Sequence, residues 1–398
     1  MNDIILYGAF DRHNYGDLLF PLIMERVIND LHPKKKVLIA GLINSDLSNH
    51  GAKKTITINK ALKTSKHDAT LMLAGGDVVA CDWQSAYGYL LPKPIFPLYE
   101  RVACYYFPKL TQYLTSRLMG LTSELPFNLS RNDIGESRKV IYNSVGATGV
   151  SNVTNEQDVS ALGELMNETN FVSVRDLFSQ SQLERIGCNS SQLAPDSATV
   201  MSSYISIEEL EKKSSNSTKK LIETYMNGYI VFQISQGHVK GKEEAFAKAL
   251  SDTSRAFNLP IVFIAIGNAA GHNDAAGVHK VASLLTKGTT YSTYLDGNIF
   301  DLMNIIRNAS CYCGTSLHGL ITSMSFSVPR VALLPTLRKQ INYMNTWDLP
   351  HMPKGVMPED LSEAVGIAMT TPSKDLKSLG QKLTDTYMSN FKSMSSSF

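Results

Sequence analysis

Cysteine is scarce in this chain of 398 residues. The five that occur, Cys81, Cys104, Cys188, Cys311 and Cys313, are odd in number and show no framework spacing, which excludes a disulfide-stapled scaffold. Long apolar runs are missing too: none approaches the roughly 20 residues that cross a bilayer. Charge of one sign is not in excess, since 38 basic side chains face 36 acidic ones and leave a formal net charge of +2. A nucleic-acid-binding surface is therefore not expected, and any attraction to anions must be local. The opening Met-Asn-Asp-Ile-Ile-Leu lacks the basic region and cleavage site of a secretory leader. Reduced thiols in a cytosol are expected, and the Asn-x-Ser/Thr triplets at Asn152 and Asn216 read as chance matches.

What is present is ordinary globular composition, 43% hydrophobic and 19% charged, in a chain long enough for two domains with cores of their own. Apolar runs at Ile4 to Ala9, Lys36 to Ile43, Ala69 to Ala74, Val140 to Val145 and Phe171 to Val174 alternate with helical patterns. The latter lie at Leu18 to Leu31, Glu156 to Glu168 and Leu177 to Ile186. Between Ser197 and Lys220 the composition turns to Ser, Glu, Lys and Asn, which reads as the exit from a first domain and a solvated hinge or loop. A second series begins at Tyr229 to Ile234 and continues through Pro260 to Ile266, Thr290 to Leu295, Cys311 to Cys313 and Arg330 to Leu334. Its helices are expected at Glu243 to Phe257, Ala275 to Leu285 and Ile299 to Asn308. The pattern predicts parallel sheets covered by helices, with domains at 1–200 and 201–370. Residues 371–398 are expected to hold a C-terminal helix and a Ser-rich tail.

The most informative stretch is Cys311 to Leu334. An apolar run ends in Gly314-Thr315-Ser316, His318 follows at the first turn of a helix, and a second apolar run begins after Pro329. Ligands of open α/β sheets sit at such strand-to-helix loops, and the free N–H groups of a helix start suit a phosphate or carboxylate. A position at the positive end of a helix should lower the imidazole's pKa. Cys311, Cys313 and His318 are read as core and loop residues rather than a zinc site, because a fourth ligand at sensible spacing is missing. The Gly267-Asn268-Ala269-Ala270-Gly271 turn resembles a phosphate-binding loop without matching a Walker or dinucleotide fingerprint. No metal is implied.

Aromatics cluster between Trp83 and Met119, among prolines and a few cations. The plainer reading is a long helix packed into the first domain. The other is contact with a lipid headgroup boundary or with sugar rings.

Three separated motifs run along the chain: Asn14-Tyr15-Gly16-Asp17; Ser173-Val174-Arg175-Asp176 followed by Pro195-Asp196; and Ser316-Leu317-His318-Gly319 with Pro329. In this order the chain resembles the polysaccharide pyruvyl transferases. The resemblance implies two Rossmann-like domains facing one cleft, the GT-B-like plan, with C-terminal helices packing back toward the first domain. It also implies transfer of the pyruvyl group of phosphoenolpyruvate, as a ketal, onto a sugar of a cell-surface polysaccharide or glycan precursor, with the first domain on the acceptor side and the second on the donor side. No cofactor beyond that donor is implied. The acceptor could be lipid-linked, with peripheral contact at the inner face of the cytoplasmic membrane. In this chain Ser316 stands where many members carry Arg, and Gln236 and His238 occupy a loop that often ends in Arg.

The expected roles follow from that chemistry, which needs an acid, a base and anion stabilisers. His318 is the acid/base candidate or a hydrogen-bond donor to phosphate. Asp17 could deprotonate a hydroxyl or cap its helix. Ser316, Thr315, Arg175, Lys339, Arg338, Gln236 and His238 are the donor-side candidates, with Lys339 and Arg338 able to supply cations. Asn14, Asp77 and Trp83 are the acceptor-side candidates. A nucleotide-sugar glycosyltransferase and a catalytically silent scaffold are the competing readings.

Overall fold

Short runs of β-branched and aromatic residues, too brief for helices and buried on both faces, make the strands of two parallel sheets. The computed structural model describes residues 3–267 and 273–398. In the first sheet the strands are β1 (Ile4–Tyr7), β2 (Val37–Gly41), β3 (Ile56–Thr57), β4 (Thr70–Leu73), β5 (Lys139–Val145), β6 (Phe171–Val174) and β7 (Gln192–Leu193). They lie in the order β3-β2-β1-β4-β5-β6-β7, every pair parallel. The second sheet holds β8 (Ile230–Gln233), β9 (Ile261–Ile264), β10 (Tyr291–Tyr294), β11 (Cys311–Gly314), β12 (Arg330–Leu333) and β13 (Lys354–Val356). Its order is β10-β9-β8-β11-β12-β13, again parallel throughout.

Both sheets reverse their direction of growth beside their first strand, between β1 and β4 and between β8 and β11. Each reversal opens a crevice at the carboxyl ends of the strands, the place where α/β sheets bind ligands. The loops after β1, β4, β8 and β11 carry Asn14, Asp77, Gln236 and Thr315 respectively. The sheet order alone thus gathers residues from four distant parts of the chain.

Six helices position the site: α1 (Tyr15–Leu31), α2 (Leu177–Arg185), α3 (Asp274–Ser283), α4 (Leu317–Ser325), α5 (Arg338–Trp347) and α6 (Ser373–Ser395). The last runs back onto the first sheet, where Asn143 donates to the Tyr387 hydroxyl at 2.9 Å and Asn390 donates to Ser173 Oγ at 3.2 Å. One continuous apolar core joins β1 and α1 of the first sheet to β8, β11, α4 and α6. A second core fills the far side of the first sheet around Tyr7, Leu71, Trp83 and Val145.

Three sequence expectations are corrected. The region from Trp83 to Met119 is a series of short helices with a final one at Pro108–Leu118, because Pro92, Pro94, Pro97 and Pro108 interrupt it. The polar stretch after Ser197 is helical at Ile207–Lys213 and Asn216–Thr224, each started by a serine whose hydroxyl accepts a backbone N–H. The Ser-rich end likewise stays helical to Ser395. Most of the Gly267–Gly271 turn lies outside the described residues.

Candidate functional site

His318 enters the cleft from the first turn of α4, whose N-cap is Ser316, with Oγ accepting the Gly319 N–H at 3.2 Å. The loop before it is pinned by a buried polar network. Gln233, at the end of β8, accepts the Thr315 N–H at 2.9 Å and donates to Asp274 at 2.7 Å. Asp274 accepts the N–H groups of Ile266 and Gly267 at 3.0 and 2.8 Å, and Gln340 donates to the Thr315 carbonyl. Most of this network holds backbone, so Thr315 serves to fix the loop that carries His318.

The imidazole meets the other half of the chain directly. Phe20 of α1 packs edge-on against it, ring centres 5.1 Å apart, and Gly16 lies so close that a Cβ there would stand 2.5 Å from His318 Cγ. Asp196, fully buried, faces His318 Nε2 at 3.7 Å and Arg175 Nη1 at 3.7 Å. These separations suit charge attraction but are too long for hydrogen bonds. His318 Nε2, Asp196 Oδ2 and Arg175 Nε are all buried without a hydrogen-bond partner. Three buried side chains in one cluster with unmet bonding capacity mark a place for a polar ligand.

Electrostatics sharpen the picture. Burial presses the His318 pKa below its ordinary value, the Arg175 and Lys339 cations push the same way, and Asp196 and Asp17 pull against them. The balance favours the neutral imidazole. Burial works against the charge of Arg175, but Asp77, Asp196 and Asp176 outweigh it and keep the guanidinium protonated. Asp77 is likewise disfavoured by burial, yet Lys339 and Arg175 hold its carboxyl below the usual range.

The predicted residues divide by place. Arg175, His318, Asp77 and Lys339 converge, the last two through an ion pair of 2.6 Å that crosses from the second sheet to the first. Asp17 lies in the first turn of α1 and is gripped by Arg12 at 2.8 Å. Asn14 makes no side-chain cap, and its backbone instead bridges to Gly267 across the cleft, with the Tyr15 N–H donating to the Ile266 carbonyl at 3.2 Å. Gln236 is exposed and accepts from Asn273 at 3.0 Å, while His238 sits two residues further on the same short helix. Arg338 is exposed at the start of α5.

Trp83 is withdrawn from the acceptor surface. Its ring is fully buried and its indole N–H donates to the Ser123 carbonyl at 2.9 Å, which makes it a core residue of the first domain.

Sequence reasoning missed α5. Its residues, Arg-Lys-Gln-Ile-Asn-Tyr-Met-Asn-Thr-Trp, have middling helix propensity and are mostly polar, so no apolar run stands out. Yet one face of it brings Lys339 to Asp77, Gln340 to Thr315, the Tyr343 hydroxyl to the Asp196 N–H at 3.3 Å and the Trp347 indole to the Arg175 carbonyl at 2.7 Å. Asp196 was visible only as part of the Pro195-Asp196 motif, with no role attached.

This convergence joins all three sequence motifs in one cleft, and a profile of the polysaccharide pyruvyl transferases matches residues 14–335. The chain belongs to the polysaccharide pyruvyl transferase family. No protein of curated function matches it by sequence. Among solved structures it is similar to the UDP-GlcNAc 2-epimerase of Neisseria meningitidis bound to UDP-GlcNAc, with a TM-score of 0.58 and 9% identity over 99% of each chain. It is also similar to the Methanocaldococcus jannaschii UDP-GlcNAc 2-epimerase in complex with UDP-GlcNAc and UDP, with a TM-score of 0.54 and 13% identity over 93% of each chain. Anabaena HepE in complex with UDP-glucose gives a TM-score of 0.50 at 11% identity, over 98% of this chain and 100% of that one. At such identities the likeness establishes the fold, which is the GT-B plan of two parallel sheets about one cleft.

Proposed function

We propose that this pyruvyl transferase family member uses phosphoenolpyruvate to form a ketal on a sugar of a polysaccharide or glycan precursor. The observation that carries the reading is the trio of buried, unpartnered polar atoms at His318, Arg175 and Asp196, with Lys339 beside them. A donor with a phosphate and a carboxylate would find a fixed guanidinium and an ammonium there. Its negative charge would also raise the His318 pKa and bring a proton to the imidazole.

In that state His318 delivers its proton to the methylene carbon, one sugar hydroxyl adds to the central carbon, phosphate departs, and a second hydroxyl closes the ring. The two hydroxyl protons leave with the phosphate and back to the imidazole. Asp196 steadies the imidazolium from 3.7 Å. Asp17, in the first turn of α1, and Asp77, after β4, are the acceptor-side carboxylates, and Asp17 is the candidate base. Ser316 contributes a hydroxyl at the helix start, and Gln236, His238 and Arg338 lie further out as donors to the phosphate.

Thermal stabilisation tests this directly, because a ligand that binds only the folded chain raises its apparent stability. Phosphoenolpyruvate should raise Tm, and His318→Ala should reduce that shift while lowering turnover by roughly 10²–10⁴-fold. Stabilisation by a nucleotide sugar and not by phosphoenolpyruvate would overturn the donor assignment in favour of glycosyl transfer.

A further inference from the structure

Between β4 and β5 the chain turns its apolar side chains outward. The helix Pro108–Leu118 buries Thr111 and Thr115, 7% and 3% exposed, and presents Leu110, Tyr113, Leu114 and Leu118 at between 49% and 68% exposure. An ordinary surface helix does the reverse. The inward side is held by polar contacts: Thr111 donates to the Ala103 carbonyl at 2.8 Å, Gln112 to the Glu124 carbonyl at 2.9 Å, and Gln84 to the Pro108 carbonyl at 2.6 Å. The turn before the helix exposes Tyr105, Tyr106 and Phe107, and Ile95 and Leu98 extend the same surface. So continuous an apolar patch marks a docking face.

We propose that this lobe docks on the interface of a bilayer carrying anionic headgroups. Residues 93–118 hold Lys93, Arg101, Lys109 and Arg117 against the single acid Glu100, so the apolar face is ringed by positive charge. Tyrosines at its centre suit a boundary where the ring is buried and the hydroxyl stays wet. A second copy of the chain fits poorly, because a twofold contact through this face would set one positively charged face, with Arg101, Lys109 and Arg117, against another. The lobe also touches the cleft: Tyr89 stacks on Phe96 at 6.0 Å and lies under Arg12 at 4.8 Å, and Arg12 grips Asp17. A docked lobe sets the acceptor side of the cleft beside the lipid surface. The inference rests on the surface and does not depend on the donor.

Flotation of the full chain with vesicles tests it. Vesicles of phosphatidylcholine mixed with phosphatidylglycerol should carry the protein up, and pure phosphatidylcholine should bind it at least about tenfold more weakly. Lys109→Gln with Arg117→Gln should weaken binding about fivefold per cation, and Tyr106→Ser with Leu114→Ser should remove it at any salt. Circular dichroism and the urea midpoint should stay unchanged in both variants, which separates lost docking from lost folding. Absence of flotation, or flotation indifferent to both variants, would overturn the proposal. So would a dimer in sedimentation velocity that Tyr106→Ser with Leu114→Ser dissolves, since that outcome assigns the face to a second copy.

Discussion

Gly16 and His318 come from opposite ends of the chain and share one contact, because α1 and α4 start at facing switch points of the two sheets. The glycine is not there for backbone freedom, since its φ is not positive, and alanine would favour the helix by up to about 1 kcal/mol. It is there for space: a Cβ would press on Cγ of the imidazole and closer still on Nδ1. Gly16→Ala should therefore lower kcat by on the order of 10²-fold through displacement of the imidazole, with little loss of Tm. Retained activity in that variant would mean that the position of His318 is not set by α1. A second residue-scale effect concerns His13, whose ring stacks on His50 at 3.8 Å. Burial and the neighbouring His50 lower the His13 pKa to about 4 from the ordinary 6.5. The unfolded chain then binds more protons than the folded one between these values, so the contribution of His13 is intact above pH 6.5 and is lost as the pH falls toward 4. His318, lowered in the same direction, adds to the same slope. His13→Asn should flatten the decline of urea midpoint with acid, and an unchanged decline would remove His13 as its source.

At the scale of elements, α5 does more for the site than any strand. It is tied to the second sheet at its far end, where Arg330 of β12 pairs with Asp348 through a bond of 2.8 Å and a second, shorter one. Both side chains are wholly buried. Asp348→Asn leaves a buried guanidinium uncompensated, and the expected cost is about 3–5 kcal/mol, read as a fall in urea midpoint. Arg330→Met combined with Asp348→Leu should recover much of it, since the pair itself adds little over apolar packing. If the single variant kept full stability, the pair would be reached by solvent. The contrast between α5 and its neighbours also shows what the sequence could tell. Strands such as Phe171–Val174 and helices such as Glu243–Phe257 coincide with their expected limits, because each is a single run of apolar residues or one strong amphipathic stripe. The edge strands β3 and β7 are two residues long and gave no run to detect. His318, Arg175 and Asp77 were found as residue types at loop ends. The network of Gln233, Asp274 and Gln340 was not, because a glutamine inside an apolar strand announces no partner until the strands are placed side by side.

For the whole molecule, the GT-B plan invites a picture of two domains joined by a hinge, and the packing here argues for something stiffer. The core that begins at Ile4 and Leu6 runs without a break through Phe20, Phe232, Ile264 and Met324 to Tyr387 and Phe391. Tyr15 and Thr322 share a buried hydroxyl contact of 2.8 Å, and Arg26 of α1 reaches Glu209 at 2.7 Å. Helix α6 lies across both sheets and closes the arrangement. Apolar surface shared in this way is lost from both halves if either unfolds, so neither half has a stability of its own to retain. The two tryptophans report on this separately, Trp83 within the first domain and Trp347 at the end of α5. In Trp347→Phe the remaining fluorescence follows the first domain, and in Trp83→Phe it follows the second. In each variant the fluorescence midpoint in urea should coincide with that from circular dichroism, giving one cooperative transition. A Trp83 signal that changes ahead of the circular dichroism would instead show the first domain melting alone, and would restore a hinge between two independent bodies.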